Sequence, residues 1–329
     1  MQGRVVFMGT PEFAVPALEA LAGSLGDGEL LVVTQPDRAA GRGRKLQPPP
    51  IKVAAERLSL PVEQVATLRD ATVRERLERF APELVIVAAF GLLLPKWLLR
   101  LPPRGCVNLH ASLLPRFRGA SPIPAAIAAG DATTGVALME MEAGLDTGAV
   151  YDVDTIDIMT GDTTESLTGR LATVAAGLVG EHLGALLAGT LRSEPQRGEI
   201  VETRKITKAH GQIAWDRPAV EIERQVRAMW PWPRAWTVGA GETRLQVHAA
   251  EVVPDAVGEP GTVVTDDAGG VVVATGDGGL RLVAVQLPGK TARPASELKG
   301  HQAFAIGARY LSPAVPVEPW IVAAGETVS

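Results

Sequence analysis

The chain has 329 residues, of which 46% are hydrophobic and 21% are charged, and its formal net charge is −5. This length predicts two domains that each bury a core, and the composition excludes a disordered chain. The net charge argues against an indiscriminate nucleic-acid binder, although it hides local clusters of cations. The sequence shows no signal sequence and no run of about 18 apolar residues that would span a membrane, which predicts a cytoplasmic protein.

Strands and helices alternate through the first half of the chain. The pattern predicts strands over residues 4–9, 30–34 and 84–89 and helices over 11–21, 51–58 and 71–80, with Thr10 as the N-cap of the first helix. This alternation predicts an α/β fold, a Rossmann-like, mostly parallel sheet with helices on both faces. The strand over 84–89 ends at Phe90-Gly91, at the edge where open sheets bind their ligands.

Familiar cofactor motifs are missing from this frame. The turn after the first strand, Gly9-Thr10-Pro11-Glu12-Phe13, lacks the later glycines that a dinucleotide site needs. No P-loop or HExxH motif occurs, and the single cysteine, Cys106, excludes a cysteine zinc site. A nucleophilic role for Cys106 is conceivable, but a buried thiol on a strand is the favoured interpretation.

Residues 35–52 form a cationic stretch. It contains one acid, Asp37, and five cations: Arg38, Arg42, Arg44, Lys45 and Lys52. Because Gly41, Gly43 and the run 48–50 of prolines interrupt it, we predict a projecting loop without regular helix or strand. Such a loop could bind a phosphate backbone through its arginines, or it could be an ordinary solvated surface loop.

Three polar residues, Asn108, His110 and Asp146, suggest acyl chemistry. Asn108 and His110 are two residues apart in an extended run, so their side chains leave the same face. An amide and a protonated ring aimed at one point resemble an oxyanion site, and a nearby carboxylate would keep the ring charged. The alternative is that both residues merely cap the end of a strand.

The second half of the chain changes character. A helix is predicted to start near Thr163 with Asp162 and Glu165 as a capping box, and a linker is predicted over 190–207. A short helix over 219–229 precedes three tryptophans, for which packing is favoured over base stacking. They are Trp230, Trp232 and Trp236. Short alternating strands then predict a small OB-like β-barrel, which ends in a loose tail over 312–329.

Five runs in this order resemble the methionyl-tRNA formyltransferase family, one of the formyltetrahydrofolate-dependent formyltransferases. They are MGTPEFAVPAL, QPDRAAGRGRKLQPPPIK, AAFGLLLP, NLHASLLPRFRGASPI and GLDTGAVY. The resemblance is tightest over 5–151 and looser over 203–236. It implies a catalytic domain over 1–189, a linker over 190–207 and an OB-like tRNA-contacting domain over 208–311.

The resemblance also implies the reaction and its residues. The formyl group of 10-formyltetrahydrofolate, the only cofactor implied, would pass to the amino group of initiator methionyl-tRNA without a metal. Neither a membrane nor an obligate protein partner is implied. The trio Asn108, His110 and Asp146 would be catalytic. Ser112, Leu113, Leu114 and Pro115 would bind the folate together with Phe90, Gly91, Leu92 and Leu93, and Arg38, Arg42, Arg44 and Lys45 would contact the tRNA.

Related enzymes give the alternatives. A glycinamide ribonucleotide formyltransferase would lack a second domain, and a formyltetrahydrofolate dehydrogenase would need a long extension with a catalytic cysteine. Sugar-nucleotide formyltransferases have both domains, but the GRGRK loop disfavours them. A non-catalytic RNA-binding protein would be expected to have lost the trio, which is intact here.

Overall fold

The computed structural model describes residues 3–40, 43, 45–239, 243–265, 270–298 and 300–323. The chain divides into two compact units, each assembled from separate stretches. Unit 1 comprises Met1–Arg118, Thr133–Asp157 and Thr168–Val201, and unit 2 comprises Gly119–Ala132, Ile158–Leu167 and Glu202–Ser329. The domain boundaries near residues 189 and 208 stay predictions.

Strands and helices alternate as predicted through the first half of the chain. The elements are β1 (Arg4–Gly9), α1 (Val15–Leu25), β2 (Glu29–Thr34), β3 (Arg38–Ala40), β4 (Lys45–Gln47), α2 (Pro50–Arg57), β5 (Val62–Gln64), α3 (Ala71–Phe80), β6 (Leu84–Ala88), α4 (Lys96–Leu99), β7 (Cys106–His110), β8 (Arg118–Gly119), α5 (Pro122–Ala129), β9 (Thr133–Glu140), β10 (Val150–Asp157) and α6 (Thr164–Ala188).

Seven of these strands form one sheet in the order β10–β9–β7–β6–β1–β2–β5. The five strands from β7 to β5 are parallel, whereas β9 runs antiparallel to β7 and β10 antiparallel to β9. All residues of β6 are buried, as expected for a strand covered on both faces. The predicted Rossmann-like sheet is therefore confirmed.

Two local predictions about the first 52 residues are wrong. Thr10 is not a helix N-cap, because a 3-10 turn, Glu12–Ala14, precedes α1 and the N-cap position of α1 is Ala14. The Thr10 hydroxyl donates to the Phe90 carbonyl (2.9 Å). Residues 35–52 are not free of regular structure, since β3 and β4 pair as an antiparallel hairpin. The glycines fall between these strands, and Pro50 starts α2, where its missing N–H costs nothing.

The start of α6 also differs in detail from the prediction. The reciprocal cap is made by Thr163 and Ser166, each of whose hydroxyls accepts from the other's backbone N–H, and not by Asp162 and Glu165. Asp162 instead accepts from the Met159 N–H and the Ser166 hydroxyl.

Within the described residues, α6 is the one helix long and apolar enough to cross a bilayer, a test that buried core helices also pass.

The elements of the second half are β11 (Val201–Thr203), α7 (Ala219–Ala228), β12 (Ala235–Gly239), β13 (Arg244–Val253), β14 (Val263–Thr265), β15 (Val271–Ala274), β16 (Gly279–Gln286), β17 (Arg293–Pro294), β18 (Tyr310–Leu311) and β19 (Ile321–Ala323). Neighbouring strands pair antiparallel in the order β14–β15–β16–β13–β12–β18. Backbone hydrogen bonds between 261–263 and 307–310 join the two edges, so the sheet closes into the predicted barrel.

Candidate active site

Strand β7 places Asn108 and His110. It lies between β6 and β9, with Asn108 opposite Val87 on one side and Met139 on the other. Because both neighbours hydrogen-bond to β7, the position of Asn108 is fixed from two directions. Asn108 is half-buried, and His110 is two residues further along the same strand, so both side chains leave the same face of the sheet.

The His110 ring is held by a carbonyl on one side and faces a carboxylate on the other. Its Nε2 lies 3.0 Å from the Phe117 oxygen, and because a carbonyl only accepts, Nε2 carries a proton there. Its Nδ1 lies 3.6 Å from Asp146 Oδ2, which is beyond hydrogen-bonding distance. Only 6% of His110 is exposed. The ring is thus fixed through Nε2, and Nδ1 points toward Asp146 without a direct hydrogen bond.

Asp146 belongs to the loop 141–149 and has a left-handed backbone conformation, with φ of 52°. Such a conformation costs about 1 to 2 kcal/mol in a residue with a Cβ and persists only where the surroundings impose it. The Glu140 N–H donates to the Ala149 carbonyl (2.8 Å) and closes the base of the loop. The Gln196 side chain donates to the Asp146 carbonyl (2.8 Å). Gln196 lies in the predicted linker, and its polar, aperiodic surroundings give no signal of this contact.

The residues predicted to bind folate after β6 have unequal exposure. Phe90 is 1% exposed, and its ring belongs to the core beneath β6. Its carbonyl accepts from Gln35 Nε2 at 2.7 Å. Gly91 has φ of 82°, and a Cβ there would lie 2.6 Å from the same nitrogen. Leu92 packs partly on the core, whereas Leu93 is 85% exposed. Gly91 and Leu93 are the exposed members of this set.

The second predicted folate run, Ser112 to Pro115, forms a turn after β7. Ser112 is fully buried, and its hydroxyl donates to the Arg116 carbonyl (2.7 Å), so this hydroxyl stabilises the turn. Pro115 is also buried, while Leu113 and Leu114 are half-buried. These two leucines are the members of the run whose apolar surface is partly open.

Two of the cations predicted to contact tRNA lie on the hairpin of β3 and β4. Arg38 and Lys45 are exposed, whereas Arg42 and Arg44 lie outside the described residues. The Arg38 guanidinium donates to Gln35 Oε1, and Gln35 in turn donates to the Phe90 carbonyl. Gln35, which the sequence did not single out, therefore links the base of the hairpin to the end of β6.

Lys52 is less available to bind phosphate than its inclusion among the cations of residues 35–52 suggested. Its ammonium lies 3.1 Å from an Asp37 oxygen, so the one acid of the stretch neutralises one of its cations. A hydrogen bond from Gln64, followed by the contact with Lys52, lowers the pKa of Asp37 below its ordinary value.

Across the part of the chain that the structure describes, no group of three or more His, Cys, Asp or Glu side chains could hold a metal ion.

Two of the three tryptophans of the run 230–236 in unit 2 donate hydrogen bonds from their indole nitrogens. Trp230 Nε1 donates to Glu165 Oε2 (3.0 Å), and Trp236 Nε1 donates to the Lys208 carbonyl (3.0 Å). Trp232, by contrast, is 53% exposed. Trp230 and Trp236 are half-buried, so these hydrogen bonds support packing for both, and the choice between packing and base stacking stays a prediction.

Comparisons with known proteins agree with the geometry. Residues 3–181 match the formyl transferase family model, and residues 205–302 match that of the formyl transferase C-terminal domain. A methionyl-tRNA formyltransferase of Marinobacter nauticus is 45% identical over 298 residues, which cover 90% of this chain and 95% of the relative. The Myxococcus xanthus enzyme of the same name is 46% identical over 301 residues, or 91% and 95% of the two chains.

Solved structures show the same fold at lower identity. The N-formyltransferase of Helicobacter canadensis, in complex with folinic acid and dTDP-3-aminofucose, has a TM-score of 0.63 and 16% identity, covering 87% of this chain and 100% of that one. HypX from Aquifex aeolicus, in complex with tetrahydrofolic acid, has a TM-score of 0.60 and 19% identity, covering 93% of this chain and 48% of that one. Such identities establish the fold alone.

Proposed function

Because the chain belongs to the methionyl-tRNA formyltransferase family and transfers a formyl group to methionyl-tRNA, we propose that its donor is 10-formyltetrahydrofolate. We propose further that Asn108, His110 and Asp146 carry out the transfer. The observation that carries this proposal is the fixed His110 ring, which lies on the same strand as Asn108 and whose Nδ1 is 3.6 Å from Oδ2 of Asp146 in the loop 141–149.

The reaction has one nucleophile, one electrophile and one proton to move. The amino nitrogen of methionyl-tRNA attacks the formyl carbon, and the carbonyl oxygen becomes an oxyanion. The bond between the formyl carbon and the folate nitrogen then breaks, and that nitrogen receives a proton in exchange for the one the amine loses. The product is N-formylmethionyl-tRNA, which serves translation initiation.

Asn108 and His110 are placed to stabilise the oxyanion. The half-buried Asn108 amide offers an N–H on the same face of β7 as the His110 ring. Since His110 Nε2 donates to the Phe117 carbonyl, the ring proton that could reach the oxyanion is the one on Nδ1. Losing one such donor costs about 3 to 4 kcal/mol, or roughly a hundred- to thousand-fold in rate.

Asp146 has the position of a proton carrier. The gap of 3.6 Å between its Oδ2 and His110 Nδ1 is too long for a direct hydrogen bond but leaves both atoms able to face a third group. The attacking amine, or a water beside it, could deliver its proton to Asp146 on the way to the folate nitrogen. General acid–base catalysis of this kind contributes about two to four orders of magnitude.

The exposed hairpin supplies the tRNA contact. Arg38 and Lys45 lie on it as exposed cations, and Arg42 and Arg44 add charge in the residues between its strands.

A pterin ring would require the apolar surface near Leu93, Leu113 and Leu114. We propose a cytoplasmic location with no membrane partner, because methionyl-tRNA is a substrate of translation.

A formylation assay tests the proposal. Purified protein is given 10-formyltetrahydrofolate with methionyl-tRNA or, separately, with a sugar-nucleotide amine. We expect transfer to the tRNA alone, and no transfer above a reaction without enzyme would refute the function.

The role of His110 is tested by His110→Ala. We expect the transfer rate to fall by about a hundred-fold or more while tRNA affinity, measured by filter binding, changes only a few-fold. A collapse of tRNA affinity would instead make His110 a binding or structural residue.

A further inference from the structure

The loop that carries Asp146 is supported from outside by the segment 193–196. Glu194 pairs with Val150 through two backbone hydrogen bonds of 2.8 Å, which fixes the segment beside the start of β10. The Ser193 hydroxyl donates to Glu140 Oε1 at 2.7 Å, at the end of β9. Both anchors flank the loop 141–149, so the segment reaches the loop in a defined register.

Gln196 makes the contacts with the loop itself. Its Nε2 donates one hydrogen bond to the Asp146 carbonyl and one to the Gly148 carbonyl, each of 2.8 Å. Its Oε1 accepts from Arg118 Nε (3.1 Å) and from an Arg118 terminal nitrogen (2.7 Å). A guanidinium only donates and a carbonyl only accepts, so the orientation of the amide is unambiguous. Every hydrogen-bonding group of the Gln196 amide is used.

The loop needs this external support. Asp146 has a left-handed backbone, and residues 142–145 are exposed, so these neighbours bury little side-chain surface. At Gly148, a Cβ would lie 2.0 Å from the Glu140 backbone oxygen, so the loop backbone approaches the end of β9 too closely for any residue with a side chain. Conformations of this kind persist only when surrounding groups determine them.

We infer that Gln196 is a positioning residue for the formyl transfer: its amide, oriented by Arg118, fixes the loop that holds the Asp146 carboxylate 3.6 Å from His110 Nδ1. The inference rests on the proposed catalytic role of Asp146. Gln196 need not touch either substrate, since it acts through the backbone on both sides of the Asp146 side chain. Gln196 lies between the two stretches that match the family models, residues 3–181 and 205–302.

Two substitutions separate the contacts of Gln196. Gln196→Glu keeps oxygens for Arg118 but removes both donors and places a carboxylate against two carbonyls. Gln196→Met removes every polar contact at similar size. We expect either change to lower kcat by about 10- to 100-fold, because a displacement near 1 Å has an effect of this size. The matched control is Arg197→Ala, which removes the exposed side chain of the next residue and should leave kcat unchanged.

A double-mutant cycle shows whether Gln196 acts through Asp146. If it does, Gln196→Glu should change the rate less than about 3-fold when Asp146 is already asparagine, as coupled residues lose their separate effects. KM for both substrates should stay within about 3-fold of the parent value, since substrate binding is spared. A merely structural role would give the same loss in both backgrounds and a lower midpoint of thermal unfolding.

The outcomes for the two proposals differ. If Asp146→Asn keeps the parental rate, the proposed role of Asp146 fails. If Asp146→Asn is impaired while both Gln196 variants keep the parental kcat, only the positioning inference is overturned. Circular dichroism checks that each variant is folded, and should Gln196→Met not fold, Gln196→Glu decides.

Discussion

Cys106 shows how burial decides the chemistry of a single residue. It lies two positions before Asn108 in β7 and is 3% exposed, and this burial raises the pKa of its thiol to about 12. A thiol with such a pKa stays protonated at neutral pH and is a poor nucleophile. The predicted buried thiol is thereby confirmed.

We expect Cys106→Ala to retain most of the transfer activity and to lower the free energy of unfolding by about 1 kcal/mol, the cost of losing a small buried group. Initial rates and urea denaturation would measure both effects. A folded but inactive variant would restore the nucleophile hypothesis.

His248 provides a pH-dependent test within unit 2. Burial, and secondarily the charge of Arg234, lowers the pKa of its ring below the ordinary value of 6.5. Its Nε2 is buried and has no hydrogen-bond partner among the described residues. Above the ordinary pKa the ring is neutral in both states. As the pH falls below it, the unfolded chain takes up the proton first, so the folded state loses stability until the lower pKa is passed.

We therefore expect stability to decline between about pH 7 and pH 5, and His248→Gln to reduce that decline. Urea midpoints at several pH values would measure it, with the exposed His301→Gln as a control. An unchanged pH dependence in His248→Gln would contradict the prediction.

At the scale of residues, the sequence predicts chemical types better than partners. Asn108, His110 and Asp146 are recognisable because their types suit acyl transfer. The contact of Gln196 with the Asp146 loop is not recognisable, since it spans 50 residues and depends on where two backbone carbonyls point. The pairing of Lys52 with Asp37 is missed for a similar reason: a charge count over a window ignores which charges neutralise each other.

The junction of β2, β6 and the hairpin depends on Gln35. This side chain is 7% exposed, accepts from Arg38 and donates to the Phe90 carbonyl. We expect Gln35→Met to lower the free energy of unfolding by about 1 to 3 kcal/mol, because it leaves buried polar groups short of partners. The exposed Gln47 on β4 is the matched control, and Gln47→Met should cost less than about 0.5 kcal/mol. Equal costs at the two positions, measured by urea denaturation, would contradict the assigned junction.

Elements with a strong local pattern were predictable. The bounds of α3 and β1 match the sequence prediction, since periodicity and buried apolar runs define them locally. The hairpin of β3 and β4 was not predictable, because each strand has three residues and its pairing outweighs the glycines and prolines around it. The predicted start of α1 was wrong because the chain first makes the 3-10 turn Glu12–Ala14, so α1 begins only at Val15.

At the scale of the whole molecule, charge is separated although the net charge is −5. The cations of residues 38–45 outnumber the acids there, so tRNA binding should release counterions despite the overall sign. We expect tRNA affinity to fall on the order of tenfold or more between 50 and 200 mM salt, and Arg42→Ala to reduce the slope of that dependence by about 1. The KM of the folate donor should change less. A salt slope that Arg42→Ala leaves unchanged would refute the contact.

The number and class of the domains were predictable, but their composition was not. Composition and alternation predict one α/β sheet and one barrel, and both are confirmed. Unit 2 also contains Gly119–Ala132 and Ile158–Leu167, where α5 packs against α7. Such packing joins segments about 90 residues apart, and no local pattern in either helix reveals its partner.

The closure of the barrel has a consequence during synthesis. The edge at 261–263 is completed only by residues 307–310, which the ribosome makes last among the barrel strands. Until they emerge, the nascent chain exposes an unpaired strand edge that could pair with another chain. The seven strands of the first sheet, in contrast, are all synthesised by residue 157. The barrel edge thus stays unpaired while the 46 residues from 262 to 307 are synthesised. A translational pause within these residues would prolong its exposure.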